Sequence, residues 1–148
     1  MLSPCLCKPS DRWQGYCERC TALAKRAGVV LDPVPSVLRP MEAEAPEGLL
    51  QERLRALCVP TLGLLYYHVY LSKKSYAGYP DVTILTPADL LRPGEESTLY
   101  LWELKSEAGV VSGTQRRWLE ALARVTRVET GVFTPKDWPI MVEKLLRK

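Results

Sequence analysis

The sequence predicts a mixed α/β domain, a mixed sheet flanked by helices, carrying a small N-terminal cysteine-rich appendage. Three observations support this. Strand-like segments rich in aromatic and β-compatible residues follow one another at 64–71 (LLYYHVYL), 81–85 (DVTIL) and 98–105 (TLYLWELK), with helical periodicity on either side. Four of the five cysteines fall between Cys5 and Cys20. A proline-rich stretch separates the two regions. With 148 residues, 47% hydrophobic and 25% charged, the chain suits one globular domain with a real core plus a short appendage.

Residues 1–30 form the appendage: the cysteines, then a short helical segment, TALAKRAG, with Gly28 placed to cap its end. Residues 31–45 read as an extended, semi-rigid linker, because Pro33, Pro35 and Pro40 are spaced through them with acidic residues nearby. The main domain occupies 46–148. Pro46 suits a helix start, and Leu50, Leu54 and Leu57 follow at helical spacing, predicting an amphipathic helix over 47–58. Glu47 and Gln51 share one face of it, and Cys58 reads as a small buried hydrophobe. After the three strands, Trp118, Leu119, Leu122 and Val125 recur at helical spacing and predict a helix over 113–127. A short strand near 131–133 and a last helix from about Trp138 complete the order αβββαβα. Trp102 and Trp118 both lie on apolar periodic patterns and are expected in the core, with base-stacking platforms as the alternative. Ser112 fits a loop or capping residue.

Twenty Lys and Arg against seventeen Asp and Glu leave a net charge of +3, too small by itself to define a polyanion partner. The clustering of Lys73 with Lys74, of Arg116, Arg117, Arg124 and Arg127, and of Lys144, Arg147 and Lys148 says more. A basic cluster is ordinarily a solvated face, so it needs a companion motif before it points to nucleic acid. No apolar run reaches the ~18 residues of a membrane span, since 59–71 is broken by Pro60 and Gly63 and carries His68. The opening MLSPCLCKPS lacks the basic start and apolar stretch of a secretory signal. A cytoplasmic protein without membrane contact is expected, nucleoid-associated or phage-encoded settings included.

In a reducing compartment, the close pairs Cys5-Leu-Cys7 and Cys17-Glu-Arg-Cys20 read better as four thiolates for one structural Zn²⁺ than as disulfides. The second pair has the usual C-x-x-C spacing, whereas the first, C-x-C, departs from common zinc ribbons. Redox use and incidental thiols are the alternatives.

Chemistry concentrates in two short motifs. In Gly78-Tyr-Pro-Asp81, Pro80 forces an extended turn and Asp81 opens the following strand. In Glu103-Leu-Lys105, strand alternation puts the acid and the base on one face, about 6 to 7 Å apart. Taken alone, that pair reads as an ordinary ion pair at an exposed strand end, because burying it is costly without partners. Taken with Asp81 on a neighbouring strand, two carboxylates can hold a hard divalent cation, Mg²⁺ or Mn²⁺, whose coordination is completed by water and a substrate phosphate. The lysine can then orient or help deprotonate the attacking water and offset phosphate charge, which is the chemistry of phosphodiester hydrolysis. Gln115 sits one turn into the next helix ahead of Arg116 and Arg117, positioned to hydrogen-bond near the site while the arginines meet backbone phosphates.

This ordered set resembles the VRR-NUC family of the PD-(D/E)XK nuclease superfamily. The likeness is carried by His68 to Ser72, by Ser75 and Gly78-Tyr-Pro-Asp81, by Glu103-Leu-Lys105, by Ser112 and Gln115 with Trp118-Leu119, and by the run from Val132 to Trp138. It covers about residues 46 to 140. The resemblance implies a restriction-endonuclease-like fold and metal-dependent nuclease activity, with Asp81 and Glu103 as metal ligands, Lys105 as the catalytic lysine and Gln115 as the glutamine supporting the site. It also implies a first acidic residue on the helix before the first strand, four residues ahead of a glutamine. Glu47 with Gln51 fits that pattern better than Glu52 does, which makes Glu47 a further expected catalytic residue and Mg²⁺ ligand. His68 alone reads as a satisfied sheet residue, and the resemblance gives it a substrate-facing alternative; Ser72, Lys73, Lys74 and Ser75 read either as a polar loop or as donors to phosphates beside the metal, with Arg116 and Arg117 as further DNA contacts.

Stand-alone members of this family resemble dimeric junction-cleaving enzymes, so the resemblance implies branched DNA, four-way junctions first, and a homodimer with two opposed sites. Flap or single-strand cleavage by a monomer is the nearest rival. A catalytically inactive DNA-binding module is opposed by the intact Asp81, Glu103 and Lys105. A small-molecule phosphohydrolase is opposed by the basic helix and by the absence of a phosphate-cradling glycine loop from the sequence.

Overall fold

A computed structural model of the protein describes residues 36–69 and 76–146. The cysteine appendage with its expected zinc ligands Cys5, Cys7, Cys17 and Cys20 lies outside the described residues, as do Ser72, Lys73, Lys74 and Ser75. Met41–Trp138 forms one compact unit. Its elements are helix α1 (Glu47–Ala56), strands β1 (Leu65–His68), β2 (Val82–Leu85) and β3 (Leu99–Leu104), helix α2 (Gly113–Leu122) and strand β4 (Val128–Phe133). Helix α3 (Trp138–Leu146) begins at the last residue of that unit.

The strands make one four-stranded mixed sheet in the order β1-β2-β3-β4. The first two pairings are antiparallel and β3 with β4 is parallel. A hairpin cannot join parallel neighbours, so α2 serves as the crossover that returns the chain to the same end of the sheet. Helix α1 packs against β3 and α2 against β4, which makes the fold mixed α/β with a helix-flanked sheet.

Strand β3 is the centre of the core. Every residue from Tyr100 to Leu104 is buried, so both of its faces are covered, and its run of large apolar residues follows from that. Pairing sorts the side chains into two sets. Tyr100, Trp102 and Leu104 share a face with Val82 and Ile84; Leu99, Leu101 and Glu103 share the other with Thr83 and Leu85. Trp102 is fully buried and meets Tyr100 and Phe133 edge to face, with ring centroids 5.3 and 4.8 Å away.

Helix α1 contributes Leu50 and Leu54, both fully buried, at the expected spacing. It ends at Ala56, two residues before the predicted end, and continues as a π-helical turn over Leu57–Thr61 that buries Leu57 and Cys58. Pro60 is the cause: it has no N–H for the Ala56 carbonyl, and its ring crowds that carbonyl. The Thr61 hydroxyl also donates to the Ala56 oxygen, at 2.9 Å. The backbone follows with the wider Leu62 N–H to Leu57 C=O bond, 3.0 Å.

Other boundaries also differ from the sequence reading. Residues 36–38 of the expected extended linker make a 3-10 turn, and Ala45 is already buried. Strand β1 covers only Leu65–His68, and as an edge strand it leaves Leu65 and Tyr67 exposed. Strand β4 is twice the expected length, starting directly after Arg127, whose left-handed conformation (φ 63°) turns the chain into it. Helix α2 stops at Leu122 and buries no residue fully. Its apolar stripe covers an edge strand, where cover is partial, so Trp118 is solvent-exposed, in contrast to the core position expected. In α3, Met141, Val142 and Leu145 are buried, one side of the helix at i, i+1 and i+4. No described helix is long and apolar enough to cross a membrane.

Replacing Thr61 by Val removes this hydroxyl donor while keeping the side-chain shape. A loss of about 0.5 to 1.5 kcal/mol in urea-unfolding stability is expected for Thr61→Val, with Thr61→Ser close to the parent. Equal stability of the two variants would show that water serves the Ala56 carbonyl equally well.

Candidate active site

Continuing the β2–β3 register one step beyond Val82–Trp102 sets Asp81 directly opposite Glu103. Cross-strand partners share a face, so both carboxylates emerge on the side of Thr83 and Leu101. Asp81 is fixed at three points. Its backbone C=O accepts the Val69 N–H at 3.2 Å, its Oδ2 accepts the Leu104 N–H at 3.0 Å, and the buried Pro80 before it holds the extended entry to the strand.

Glu103 has no exposed surface. Its Oε1 accepts hydrogen bonds from Lys105 Nζ and from Gln115 Nε2. Lys105 lies just past the strand end, where its N–H still donates to the Phe133 C=O at 2.9 Å, and its ammonium also donates to the Leu104 C=O at 3.2 Å. The turn closed by the Gly109 N–H to Ser106 C=O bond packs on the lysine stem. A Cβ at Gly109 would stand 3.0 Å from Lys105 Cβ and Cδ.

Gln115 reaches Glu103 because it is also part of a helix cap. The Ser112 Oγ accepts the Gln115 N–H at 3.2 Å while Gln115 Oε1 accepts the Ser112 N–H at 2.8 Å, a capping box that starts α2 and orients the amide. The remaining Nε2 faces the carboxylate. Gly78 joins this helix to the Asp81 turn. It adopts φ +91°, and a Cβ there would meet the Thr114 carbonyl carbon at 2.7 Å and the Gln115 nitrogen at 2.9 Å. Only glycine allows the turn so close to the first residues of α2.

The charges are strongly coupled. Burial pushes the Glu103 carboxyl up to about 7, the hydrogen bond from Lys105 works against this, and the Asp81 charge adds to the rise. Burial alone would lower the Lys105 ammonium, but the hydrogen bond to Glu103 and the charges of Glu103, Asp81 and Glu47 outweigh it and raise its pKa. Lys105 is therefore held as a cation. Glu47, in the first turn of α1, acts on this lysine through its charge.

The donor set suits a hard divalent cation. Glu103 Oε2 is buried and has no hydrogen-bond partner, a costly state for a carboxylate oxygen unless something else satisfies it. Among the described residues no group of three His, Cys, Asp or Glu converges at ligand distance, so Glu47 stands outside the immediate set. Two carboxylates with the remaining positions left to water and phosphate is the usual protein share for Mg²⁺.

The other expected site residues divide. His68 pairs with Val82, which turns its half-buried side chain to the Trp102 face, opposite to Asp81 and Glu103. Arg116 and Arg117 are exposed on α2, about 100° and 200° around the helix from Gln115, so they flank the site and do not enter it. Trp118, three residues on, shares the Gln115 face. Together with Asp81 and Gln115 it lines an open cleft of about 480 Å³ that also presents Tyr67, Tyr76 and Tyr79. Tyr79 was visible inside the Gly-Tyr-Pro-Asp motif. Tyr67 is brought here by strand register, which the sequence alone does not fix. Comparison of the chain with known protein families, with curated proteins and with solved structures finds no match.

Gly78→Ala is expected to lower unfolding stability by about 2 kcal/mol or more, since it adds both a positive-φ penalty and a backbone clash. A near-neutral result in urea would mean that the turn can withdraw from α2 freely. A pH effect follows from Glu103. Its folded value, about 7, lies above its ordinary 4.5, so in chelator this stabilising contribution is complete below 4.5 and is lost as pH rises through 7. Glu103→Gln should therefore gain on the parent between pH 5 and pH 8, by up to about 3 kcal/mol. An offset that is the same at both pH values would contradict the burial-driven shift.

Proposed function

We propose that Asp81, Glu103, Lys105 and Gln115 form the centre of a metal-dependent phosphodiester hydrolase that acts on DNA, a VRR-NUC-like nuclease of the PD-(D/E)XK type with a restriction-endonuclease-like fold. The observation that carries this reading is a buried, partly unsatisfied carboxylate, Glu103, set opposite Asp81 and hydrogen-bonded by a lysine held in its charged form. Asp81 and Glu103 would hold Mg²⁺ or Mn²⁺, and Glu47 would act from the edge of the site. The ion, when bound, would polarise the phosphoryl oxygen and make a water more acidic.

The chain's own groups have separable tasks. Gln115 fixes the Glu103 carboxylate in one plane through its amide. Lys105, as a cation, offsets charge at the phosphate and donates hydrogen bonds to the attacking water or to a phosphoryl oxygen. A protonated lysine does not take the water's proton, so its role is positioning and charge compensation. Arg116 and Arg117 lie exposed on the helix and suit non-specific phosphate contacts. Branched DNA cut by a homodimer is the first substrate class proposed, and the cysteine appendage would hold one structural Zn²⁺.

The test is cleavage of labelled linear, flap and four-way DNA in Mg²⁺ and in Mn²⁺. Asp81→Ala, Glu103→Ala and Lys105→Ala are each expected to lose about a hundredfold or more in rate, with DNA binding largely retained. Glu47→Ala should lose more activity than Glu52→Ala. Absence of cleavage of every DNA by the parent protein with either ion would refute the hydrolase reading, and full turnover in Lys105→Ala would remove the lysine from it.

A further inference from the structure

Among the described residues, the exposed aromatic side chains are Tyr67, Tyr76, Tyr79 and Trp118, at 63%, 92%, 37% and 36% of their surface. All four line the single cleft that contains Asp81 and Gln115. The exposed aliphatic residues are scattered over several elements, so this concentration of flat rings is a property of the cleft and not of the surface at large. Tyr79 and Trp118 meet edge to face, with centroids 5.3 Å apart and planes at 79°, which makes a near right-angled corner. A flat ring can stack on one wall of such a corner while its edge meets the other.

We propose that this cleft receives one unpaired nucleobase of the DNA strand being cut, held by stacking on Trp118 and the tyrosines, with the adjoining phosphate directed to Asp81 and Glu103. This rests on the hydrolase reading and narrows its substrate class. The volume, about 480 Å³, is that of a site for a small flat ligand. A base inside a duplex is already stacked on both sides and cannot enter, so the occupant is a nucleotide from a single strand, a flap or a locally opened junction. Stacking is indifferent to base identity, because every base has a π-face, and the cleft therefore selects for an unpaired nucleotide and not for a sequence. Neutral rings beside the two carboxylates also let the strand approach with its least charged part.

The experiment compares oligothymidylate with an abasic strand of the same length and charge, in Ca²⁺, by fluorescence anisotropy and by quenching of tryptophan emission. The abasic strand is expected to bind about tenfold more weakly and to quench less. Trp118→Ala and Tyr76→Ala should bring oligothymidylate down toward the abasic affinity while leaving the abasic affinity unchanged, and Trp118→Phe should restore most of the difference. Both positions are exposed, and far-UV circular dichroism checks that the variants fold. Equal affinity for the two strands, or no detectable binding of either, overturns the proposal. Cleavage of the same strands in Mg²⁺ runs in parallel. Cutting that ignores the missing bases removes the base site and leaves the hydrolase, whereas base-dependent binding with no cutting supports the base site and removes the hydrolase.

Discussion

A carboxylate with no solvent exposure sits on a strand covered on both faces, and the surrounding structure answers to it. Glu103 continues the apolar side of β3 that begins with Leu99 and Leu101, where another leucine would stabilise the core more than a charge does. Its first oxygen is served by Lys105 and Gln115. Gln115 can serve it only because Ser112 starts α2 at that point, and α2 can lie there only because Gly78 lets the Asp81 turn pass close to it. One buried charge thus fixes a helix start, a turn and a lysine conformation.

The second oxygen is not served, and local stability has been given up at a position where it was available. Such a departure from an otherwise consistent core is expected at functional or strained positions, and it is the feature on which the proposed hydrolase reading rests. Folded electrostatics agree with this reading: burial raises the acid, while three carboxylates together keep the neighbouring base charged. Both pKa values are raised, which moves the acid toward its neutral form and keeps the ammonium charged.

The sequence made the order of elements legible, because alternation and helical spacing are local properties. It also singled out Asp81, Glu103, Lys105 and Gln115, which lie on strand and helix positions that chain geometry alone brings near one another. What it could not reveal depends on neighbours. His68 belongs to the far face because β1 pairs with β2 in one register, and the slip of a single residue would have reversed it. Trp118 is exposed because α2 covers an edge strand, a fact of sheet order and not of periodicity. The early end of α1 required seeing that Pro60 interrupts the ladder and that the adjacent threonine hydroxyl bonds the Ala56 carbonyl.

Sheet order here follows chain order, and the groups that meet at Glu103 all come from the uninterrupted run between Asp81 and Gln115. The two antiparallel pairs are joined by short excursions, and only β4 needs a crossover. The carboxylates, the lysine and the glutamine are accordingly gathered from a stretch of the chain that ends before the helix beginning at Trp138. A change in the helix that starts at Trp138 therefore removes no hydrogen-bond partner of Glu103, whereas changes between Asp81 and Gln115 bear on all of them.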